Sequence, residues 1–516
     1  MSPPVGQAIL TLAHHKGDTM SHTSNYLAFD LGAESGRAVV GRFDGQRLTL
    51  APLHRFGNGP VRIFDGLFWD VLYLWREMQA GLGAYRRVYG PDLEGIGVDT
   101  WGVDFALLGA QGELLANPRH YRDPRNEAML KLALELVPRQ EIFGQTGIQF
   151  MQLNSLYQLL AMQQYGDAAL GQADTLLMMS DLFHYWLTGV KASEFTLATT
   201  TQFYDPTRRD WARDLLRSLD LPTHMLPEIV APGTVLGPLD ERLAQEAGLE
   251  DVSVILPASH DTGSAVAAVP AHGEDFIYLS SGTWSLIGVE IPEPILTDDA
   301  LANNFTNEGG VFDTFRLLKN IMGLWLVQEC RRTWTQEGDE LSYDELTALA
   351  AEAPAFGPLV EPDAAEFLPP GGMPDRIRAY CRRTGQRLPE SRGELVRCAL
   401  ESLACKYRWA VEKLEQMLGR SLPVIHIVGG GSQNTLLCQF AADATQRQVI
   451  AGPVEATAIG NVMMQAIACG RIGDLAQGRE IVARSFETIT YDPGDVGGWD
   501  EAYDRLLALQ RKTEVL

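Results

Sequence analysis

Hydrophobic residues recur with two different periods along the first half of this chain. Short apolar runs bounded by glycine-containing turns are typical of strands, whereas apolar positions three or four residues apart are typical of helices. The first pattern predicts strands at 26–29, 37–43, 47–50, 95–99 and 252–256, and a hairpin-like strand at 103–108. The second pattern predicts a helix around 69–89 and further helices between 125 and 187. The first half therefore has the pattern of a mixed α/β domain that opens with a meander of short strands.

The second half repeats this order of elements without obvious residue identity. Its pattern predicts strands at 276–279, 284–291 and 424–428, and helices at 320–333, at 391–417, from about 435 onward and at 499–512. Such a duplication predicts an α/β fold in which two domains face each other across a cleft. We expect the domains to cover 25–265 and 266–500, preceded by a disordered extension at 1–24 and followed by a C-terminal helix and tail at 501–516.

Composition narrows the class of protein. Hydrophobic residues make up 46% of the 516 positions and charged residues 21%, as in ordinary globular proteins. No apolar run reaches the roughly 18 residues that a membrane span needs, so we expect no membrane partner. The formal net charge of −24 argues against a nucleic-acid partner, because there is no basic field to displace phosphate counterions. Six cysteines without a C-x-x-C pair predict buried free thiols in a reducing cytoplasm rather than a zinc site.

Two turns rich in glycine and hydroxyl residues follow predicted strands, at 30–37 and 280–283. Gly32 and Gly36 let backbone amides approach phosphate oxygens closely, and Ser35 and Arg37 add donors. Asp30 at the strand end is the kind of ligand that hydrated Mg²⁺ prefers. Taken alone, the first turn is also compatible with a plain hairpin that carries a capping aspartate. The chain has no Gly-Lys dipeptide, which excludes a P-loop.

Asp261 follows a predicted buried strand and lies between the two turns along the chain. There it would act as a general base that accepts the proton of a hydroxyl as a phosphoryl group arrives. The alternative role is an N-cap for a helix that begins near Ser264. The segment 429–434, Gly-Gly-Gly-Ser-Gln-Asn, follows a strand and precedes a helix, which would suit close approach to an adenine nucleoside or a plain turn. Trp101, Trp284 and Trp325 would be core or cleft aromatics.

Ten collinear motifs resemble the FGGY carbohydrate kinase family over about 26–511, and three of them are particular to its branch that acts on L-rhamnulose. The wider family shares the turns and the HDT run, whereas the more particular runs are ATTTQ at 198–202, FTNEGG at 305–310 and RLLKNIMGLW at 316–325. The resemblance implies the actin-like ATPase fold, with two ribonuclease H-like domains across a catalytic cleft. It also implies that ATP with Mg²⁺ phosphorylates the 1-hydroxyl of L-rhamnulose to L-rhamnulose 1-phosphate, a step of L-rhamnose catabolism.

The resemblance also implies roles for individual residues. Asp261 would be the catalytic base, Asp30 the weaker candidate for a metal ligand, and the protein a monomer or homodimer. The implied sugar contacts are Gly102, His260, Asp261, Thr262 and Asn320, and the implied nucleotide contacts are Ala33, Glu34, Ser35, Gly36, Arg37, Thr283, Gln328 and Gly430. Glu34 departs from the family, where a hydroxyl residue is usual, so we expect it to point away from the phosphates or to bind Mg²⁺ through water. The alternatives are a kinase for another ketose such as L-fuculose, and a non-catalytic sugar- or nucleotide-binding protein on the same fold.

Overall fold

The computed structural model of the protein describes residues 23–494 and 497–513. The predicted extension at 1–24 therefore lies almost entirely outside the described residues, as does the end of the predicted tail. All six cysteines belong to the described part, where they are free thiols, and five of them are buried, which confirms the prediction of buried free thiols for those five. Among the helices of the described residues, none combines the length and the apolar content needed to span a bilayer.

The first half is built on a twisted mixed sheet with helices on its faces. Its strands are β1 (Ser24–Leu31), β2 (Ser35–Phe43), β3 (Leu48–Gly57), β4 (Pro60–Ile63), β5 (Gly66–Trp69), β6 (Gly95–Thr100), β7 (Phe105–Leu108), β8 (Thr175–Met178), β9 (Ser193–Glu194), β10 (Tyr204–Asp205), β11 (Asp210–Trp211), β12 (Ile229–Val230), β13 (Val235–Pro238) and β14 (Ser253–Ile255). Its helices are α1 (Val71–Tyr89), α2 (Met129–Leu136), α3 (Arg139–Thr146), α4 (Ser155–Gln164), α5 (Ala168–Gln172), α6 (Met179–Thr188), α7 (Phe195–Thr200), α8 (Arg213–Ser218), α9 (Glu241–Ala247) and α10 (Asp261–Ala267).

The second half has the same plan. Its strands are β15 (Phe276–Ser281), β16 (Trp284–Ile291), β17 (Thr306–Gly309), β18 (Phe315–Met322), β19 (Val424–Val428), β20 (Gln448–Ala451) and β21 (Ile489–Tyr491). Its helices are α11 (Asp298–Ala302), α12 (Trp325–Gln336), α13 (Tyr343–Glu352), α14 (Met373–Arg383), α15 (Arg392–Leu418), α16 (Thr435–Thr445), α17 (Ala456–Ala468), α18 (Leu475–Ser485) and α19 (Trp499–Thr513). A capping box of Ser391 and Glu394 starts α15, and Gly419 in the left-handed region ends it.

The two main sheets share one topology. The first has the order β13-β14-β6-β1-β2-β3, and the second has the order β17-β18-β16-β15-β19-β20-β21. Each sheet contains a hairpin of two antiparallel strands, β1–β2 or β15–β16, and the antiparallel pairing continues beyond its second strand. The first strand of the hairpin pairs in parallel with a later strand, β6 or β19. This repetition confirms the duplicated α/β architecture that the hydrophobic pattern predicts.

Two helices, α10 and α17, pack against each other between the sheets. Helix α17 also contacts β1 and β6 of the first sheet. The crossing is close at Gly460, where an added Cβ would lie 1.8 Å from the carbonyl oxygen of Ser264. An apolar cluster that includes Tyr26, Val266 and Ile459 fills the space around the pair. The close crossing therefore depends on glycine at position 460.

Three details of the predicted elements are wrong. The helix predicted at 320–333 begins only at Trp325, because residues 315–322 pair with β16 as strand β18. The run at 103–108 does not form a hairpin with the preceding strand, because Val103 takes a left-handed conformation (φ 69°) and β7 pairs with β8 instead. Asp261 is not the cap of a later helix; it is itself the first residue of α10, with His260 in the cap position.

Candidate functional site

A cavity of about 430 Å³ lies between the two sheets and is lined from both halves of the chain. It collects residues that are far apart in the sequence but lie at the ends of strands or at the starts of helices. The sequence-predicted site residues that line it are Asp30, Ala33, Glu34, Ser35, Arg37, Gly102, His260, Asp261, Thr262, Thr283, Asn320, Gln328 and Gly430. Gly36 does not line the cavity, because it packs on the Phe56 ring, to which an added Cβ would come within 2.3 Å.

The two glycine-rich turns lie at the equivalent ends of the β1–β2 and β15–β16 hairpins. In the first turn the Gly32 amide donates to the Ser35 carbonyl at 2.9 Å, and in the second the Gly282 amide donates to the Trp284 carbonyl at 2.8 Å. Both turns line the cavity. The two turns therefore border a single space, where both could contact a phosphate chain.

Asp30 and Arg37 face each other across the β1–β2 hairpin. The Arg37 guanidinium donates through Nε and Nη2 to Oδ2 of Asp30, at 3.0 and 2.6 Å, and it also pairs with Glu455 of the second half. Both of these donors reach the same oxygen, so Oδ1 of Asp30 lies outside the contact. Within the described residues, no cluster of three or more His, Cys, Asp or Glu side chains is arranged to hold a metal ion. One free carboxylate oxygen fits Mg²⁺, which takes most of its ligands from phosphates and water.

Asp261 presents only one of its carboxylate oxygens to neighbouring protein groups. Oδ1 accepts hydrogen bonds from the backbone amide of Thr262 at 2.5 Å and from its hydroxyl at 3.2 Å, and Nε2 of His260 lies 3.5 Å from the same oxygen. Among the described residues, none of these contacts reaches Oδ2. Burial raises the pKa of Asp261, His260 opposes the rise, and the charge of Asp30 adds to it. The side chain is 31% exposed, so Oδ2 is accessible from the cavity.

His260 is held from behind by the second half of the chain. Nη2 of Arg316 lies 3.1 Å from Nδ1 of His260 and 3.3 Å from Oε2 of Glu308. Burial alone would raise the pKa of Glu308, but its contacts with His260 and Arg316 outweigh burial and lower it. The carboxylate of Glu308, the guanidinium of Arg316 and the imidazole of His260 therefore form one cluster behind Asp261.

Gln149 and Asn320 join the two halves on the same side of the cavity. The Gln149 side chain accepts from the Asn320 amide at 2.9 Å and donates to the Asn320 carbonyl at 3.2 Å. These two hydrogen bonds fix the backbone of β18 at Asn320 and thereby position the Asn320 side chain. Asn307 makes a similar bridge, since its Nδ2 donates to the Gly147 carbonyl at 3.1 Å.

Aromatic rings form one wall of the cavity and are tied together by Asp104. Its Oδ2 accepts from the indole nitrogens of Trp69 and Trp101, at 2.6 and 2.9 Å, while Oδ1 accepts from Gln158 at 2.8 Å. The rings of Trp69 and Trp101 lie 4.0 Å apart, and Trp101 faces the cavity. Of the three predicted core or cleft tryptophans, Trp101 and Trp284 line the cavity, whereas Trp325 packs beside it in the core of the second half.

The glycine run after β19 shapes another part of the cavity lining. An added Cβ at Gly431 would lie 2.0 Å from the Ser281 hydroxyl, so this glycine serves the contact between two loops of the protein. Gly430 meets nothing within 4 Å and faces the cavity. Oε1 of Gln328 is buried without a hydrogen-bond partner among the described residues, and Gln328 lines the same space. That orphaned acceptor suits a ligand that brings a donor.

Glu34 turns toward the opposite half. Its carboxylate lies 3.2 Å from Nη2 of Arg332 on α12, and Arg332 also pairs with Glu329 at 2.8 Å. Glu34 thus has a neutralising partner on the opposite half of the chain.

Some residues of the site escape prediction from the sequence. Asp99 lies beside Asp30 on the neighbouring strand and accepts from Asn461 at 2.6 Å, and burial raises its pKa well above the usual range. Glu308 lies in the quoted FTNEGG run and Arg316 opens the RLLKNIMGLW run, so the signal was present as a motif. The role of each side chain becomes visible only when both halves are assembled.

Comparisons with known proteins identify the family to which the chain is similar. Residues 25–268 match the N-terminal domain of the FGGY family of carbohydrate kinases, and residues 277–469 match its C-terminal domain. A protein of Bacteroides thetaiotaomicron named rhamnulokinase is 45% identical over 93% of this chain and 98% of its own length. One of the same name from Oceanobacillus iheyensis is 41% identical over 90% and 97%.

Solved structures show the same fold at low sequence identity. A ligand-bound xylulose kinase from Lactobacillus acidophilus has a TM-score of 0.79 at 17% identity, and covers 95% of this chain and 98% of its own. A glycerol kinase from Plasmodium falciparum with ADP has a TM-score of 0.74 at 15% identity, with 95% and 97% covered.

The fold and the cleft define a sugar kinase of the two-domain, actin-like ATPase type. The chain belongs to the FGGY family of carbohydrate kinases, which confirms the family and the fold that the motifs imply. A member of this family acts on a sugar and ATP.

Proposed function

We propose that the protein transfers the γ-phosphoryl group of ATP to the 1-hydroxyl of L-rhamnulose and releases ADP and L-rhamnulose 1-phosphate. The observation that carries the proposal is the free Oδ2 of Asp261, which lies on the cavity between the sugar-side residues and the two phosphate turns. The substrate follows from the relatives named rhamnulokinase, of which the first is 45% identical. The non-catalytic alternative explains neither the free base nor the pair of turns.

The reaction is a direct in-line transfer. The C1 hydroxyl of the ketose would donate to Oδ2 of Asp261, which takes the proton as the new O–P bond forms and the bond between γ-phosphorus and the β-phosphate oxygen breaks. The burial of Asp261, reinforced by the charge of Asp30, keeps its pKa above that of an ordinary aspartate, which makes it a stronger base. Thr262 and His260 hold the other oxygen, so the lone pairs of Oδ2 stay directed at the substrate.

The sugar would lie against Gly102 and Asn320, with His260 and Thr262 flanking the reacting hydroxyl. Gly102 is needed for this approach, since an added Cβ would meet His260 Nε2 at 3.3 Å and the Thr200 side chain at 3.1 Å. Apolar side chains of the lining, among them Ile148 and Leu153, offer a surface for the methyl group of a 6-deoxy sugar.

The triphosphate would lie between the turns, held by Ala33, Ser35, Arg37 and Thr283, with Gln328 and Gly430 toward the nucleoside. Gly36 supports the first turn from behind rather than contacting the nucleotide. Mg²⁺, when bound, would neutralise charge on the phosphates, and Asp30 is the residue that would hold it, through Oδ1. We propose that Glu34 takes no part in metal binding, because Arg332 already engages its carboxylate.

We further propose that the domains divide at residue 265, that the enzyme is cytoplasmic, and that it is a monomer or a homodimer. The catalytic base then belongs to the first domain, and Asn320 and the nucleoside contacts belong to the second. Both domains are needed for one active site.

The test is ADP release with Mg-ATP and a panel of ketoses: L-rhamnulose, L-fuculose, L-ribulose and D-xylulose, with a blank that lacks sugar. We expect kcat/KM for L-rhamnulose to exceed that of every other ketose by about tenfold or more, because a site that hydrogen-bonds a hydroxyl discriminates strongly against a misplaced one. A higher value for another ketose would overturn the substrate. Binding of ATP without turnover of any sugar would overturn the catalytic role.

A further inference from the structure

Arg316 occupies an unusual position for a guanidinium, because its side chain is fully buried behind the catalytic candidate. Nε donates to the Gly309 carbonyl at 2.8 Å, and Nη2 faces both Glu308 and Nδ1 of His260. Arg316 does not line the cavity, whereas Glu308 and His260 do. Its influence on the reaction therefore has to pass through another residue.

The contact at 3.1 Å determines which nitrogen of His260 carries the proton. An arginine has only donors, so Nδ1 of the neutral ring must accept from Nη2 and cannot itself bear hydrogen. The proton is then on Nε2, which lies 3.5 Å from Oδ1 of Asp261. In the opposite tautomer Nδ1–H would point at Glu308 Oε2, 3.4 Å away, and the Nε2 lone pair would face the Asp261 carboxylate.

We propose that Arg316 is a positioning residue for phosphoryl transfer: it fixes the Nε2–H tautomer of His260, which anchors Oδ1 of Asp261 and leaves Oδ2 as the catalytic oxygen. Arg316 competes with Glu308 for the ring. Without the guanidinium, Glu308 draws the proton to Nδ1, and the imidazole repels Asp261 instead of holding it.

This assignment links the two halves of the enzyme. His260 and Asp261 belong to the first half, whereas Arg316 and Glu308 lie on β18 and β17 of the second. The base is thus held in its working orientation only when β18 is seated against the first half. The enzyme would then align its base only in the assembled cleft.

The test compares Arg316→Met with a matched control, Arg479→Met. Arg479 is also a buried guanidinium: it donates to the carbonyls of Val266 and Ala267 at the end of α10 and pairs with Glu290, away from His260. Both variants lose a buried ion pair, so both should unfold at a lower temperature than the parent protein. Only the first should change the state of the His260 ring.

The ring is observed by nuclear magnetic resonance on protein labelled with ¹⁵N in its histidine side chains, and His260 is assigned by its absence in His260→Phe. We expect an unprotonated Nδ1 in the parent protein, in Arg479→Met and in Glu308→Gln, which lacks the competing carboxylate but keeps Arg316. In Arg316→Met we expect the proton on Nδ1. An unprotonated Nδ1 in Arg316→Met, or a protonated one in the parent protein, would overturn the proposal.

Kinetics supply a second readout, and this part rests on the proposed function. We expect Arg316→Met to lower kcat about tenfold or more and to change KM for Mg-ATP less than about threefold. In a His260→Phe background the same substitution should change kcat less than about twofold, because a residue that acts through His260 has nothing left to act on. An equal loss in both backgrounds would overturn the proposal. A parent enzyme inactive on L-rhamnulose would refute the proposed function. The measurement on the His260 ring would still decide the proposed role of Arg316.

Discussion

Replacing Asp261 by asparagine tests the central assignment with little change of shape. The asparagine carbonyl oxygen can keep the position of Oδ1 and accept from the Thr262 amide and hydroxyl, as Oδ1 does at 2.5 and 3.2 Å. The amide nitrogen then stands where Oδ2 stood, and it cannot accept a proton. The fold and the first turn of α10 are therefore expected to remain, while the base is lost.

The size of the effect follows from the chemistry of the lost group. General base catalysis contributes about 10²–10⁴ in rate, which corresponds to roughly 2.7–5.4 kcal/mol in the activation free energy. We expect kcat to fall by that factor and the Kd of Mg-ATP to change less than about threefold, because nucleotide contacts lie on other elements. In the parent enzyme the acid limb of kcat/KM should lie above the ordinary range of an aspartate, since burial and Asp30 raise the pKa of Asp261. Asp261→Asn should lose that limb.

The assay is ADP release at saturating L-rhamnulose and Mg-ATP, with nucleotide binding measured by calorimetry. Asp205→Asn is the matched control: Asp205 is a buried aspartate that accepts from the Thr207 and Arg208 amides, and it is absent from the cavity wall. It should keep kcat within about twofold of the parent. If Asp261→Asn kept more than a tenth of the parent kcat, the reasoning about the base would be refuted.

Three further substitutions test the supports of the site. Asp104→Asn replaces an acceptor of two indole N–H groups and a glutamine amide. It should lower the free energy of unfolding by about 1–3 kcal/mol in urea titrations, and a loss under about 0.5 kcal/mol would contradict the stabilising role of these hydrogen bonds. Gly431→Ala places a Cβ 2.0 Å from the Ser281 hydroxyl, so it should lower the free energy of unfolding by about 1–3 kcal/mol and raise KM for ATP. An unchanged KM would show that this turn does not contact the nucleotide. Glu34→Gln removes an ion pair whose side chains are 45–47% exposed, so its melting temperature should stay within about 2 °C, and a larger loss would contradict the view that this pair is screened by solvent.

The sequence predicts the repeated elements well, because strands and helices leave local signals. The strand at Val424–Val428 and the helix that begins at Thr435 occur where the pattern places them, and α15 begins beside its capping serine. The error at Asn320 arose because the apolar residues of 315–322 do not alternate with polar ones, so periodicity does not separate this strand from the helix that follows. Pairing with β16, a long-range contact, decides in favour of the strand.

The site itself was predicted by residue identity rather than by arrangement. Motifs point to Asp261 and to both turns, and the structure brings those residues to one cavity. The sequence cannot show that Arg37 is already bound to Asp30 and Glu455, since Glu455 is more than 400 positions away. Nor can it show that Glu34 meets Arg332, because a salt bridge between exposed side chains leaves no local signal.

The bonds between the two halves differ from one end of the cleft to the other. On the sugar side they are buried: the Asn307 amide donates to the Gly147 carbonyl at 2.9 Å, and the Gly309 amide donates to the Thr199 hydroxyl at 2.7 Å. Beside the Gly32–Ser35 turn two bridges are ion pairs of partly exposed side chains, Glu34–Arg332 and Arg37–Glu455, whereas the bond from Asn461 to Asp99, the strand neighbour of Asp30, is buried.

Exposed pairs are worth less than about 1 kcal/mol each, whereas breaking a buried hydrogen bond leaves desolvated groups and costs about 1–3 kcal/mol. The exposed pairs beside the Gly32–Ser35 turn should therefore break more readily than the buried bonds near Asn307 and Gly309, so that this turn can move while the contacts that align Asp261 persist. Hydrogen exchange of the free enzyme would show this as faster exchange of the Gly32–Ser35 turn than of the Asn307 and Gly309 amides, and the reverse order would place the opening at the sugar end.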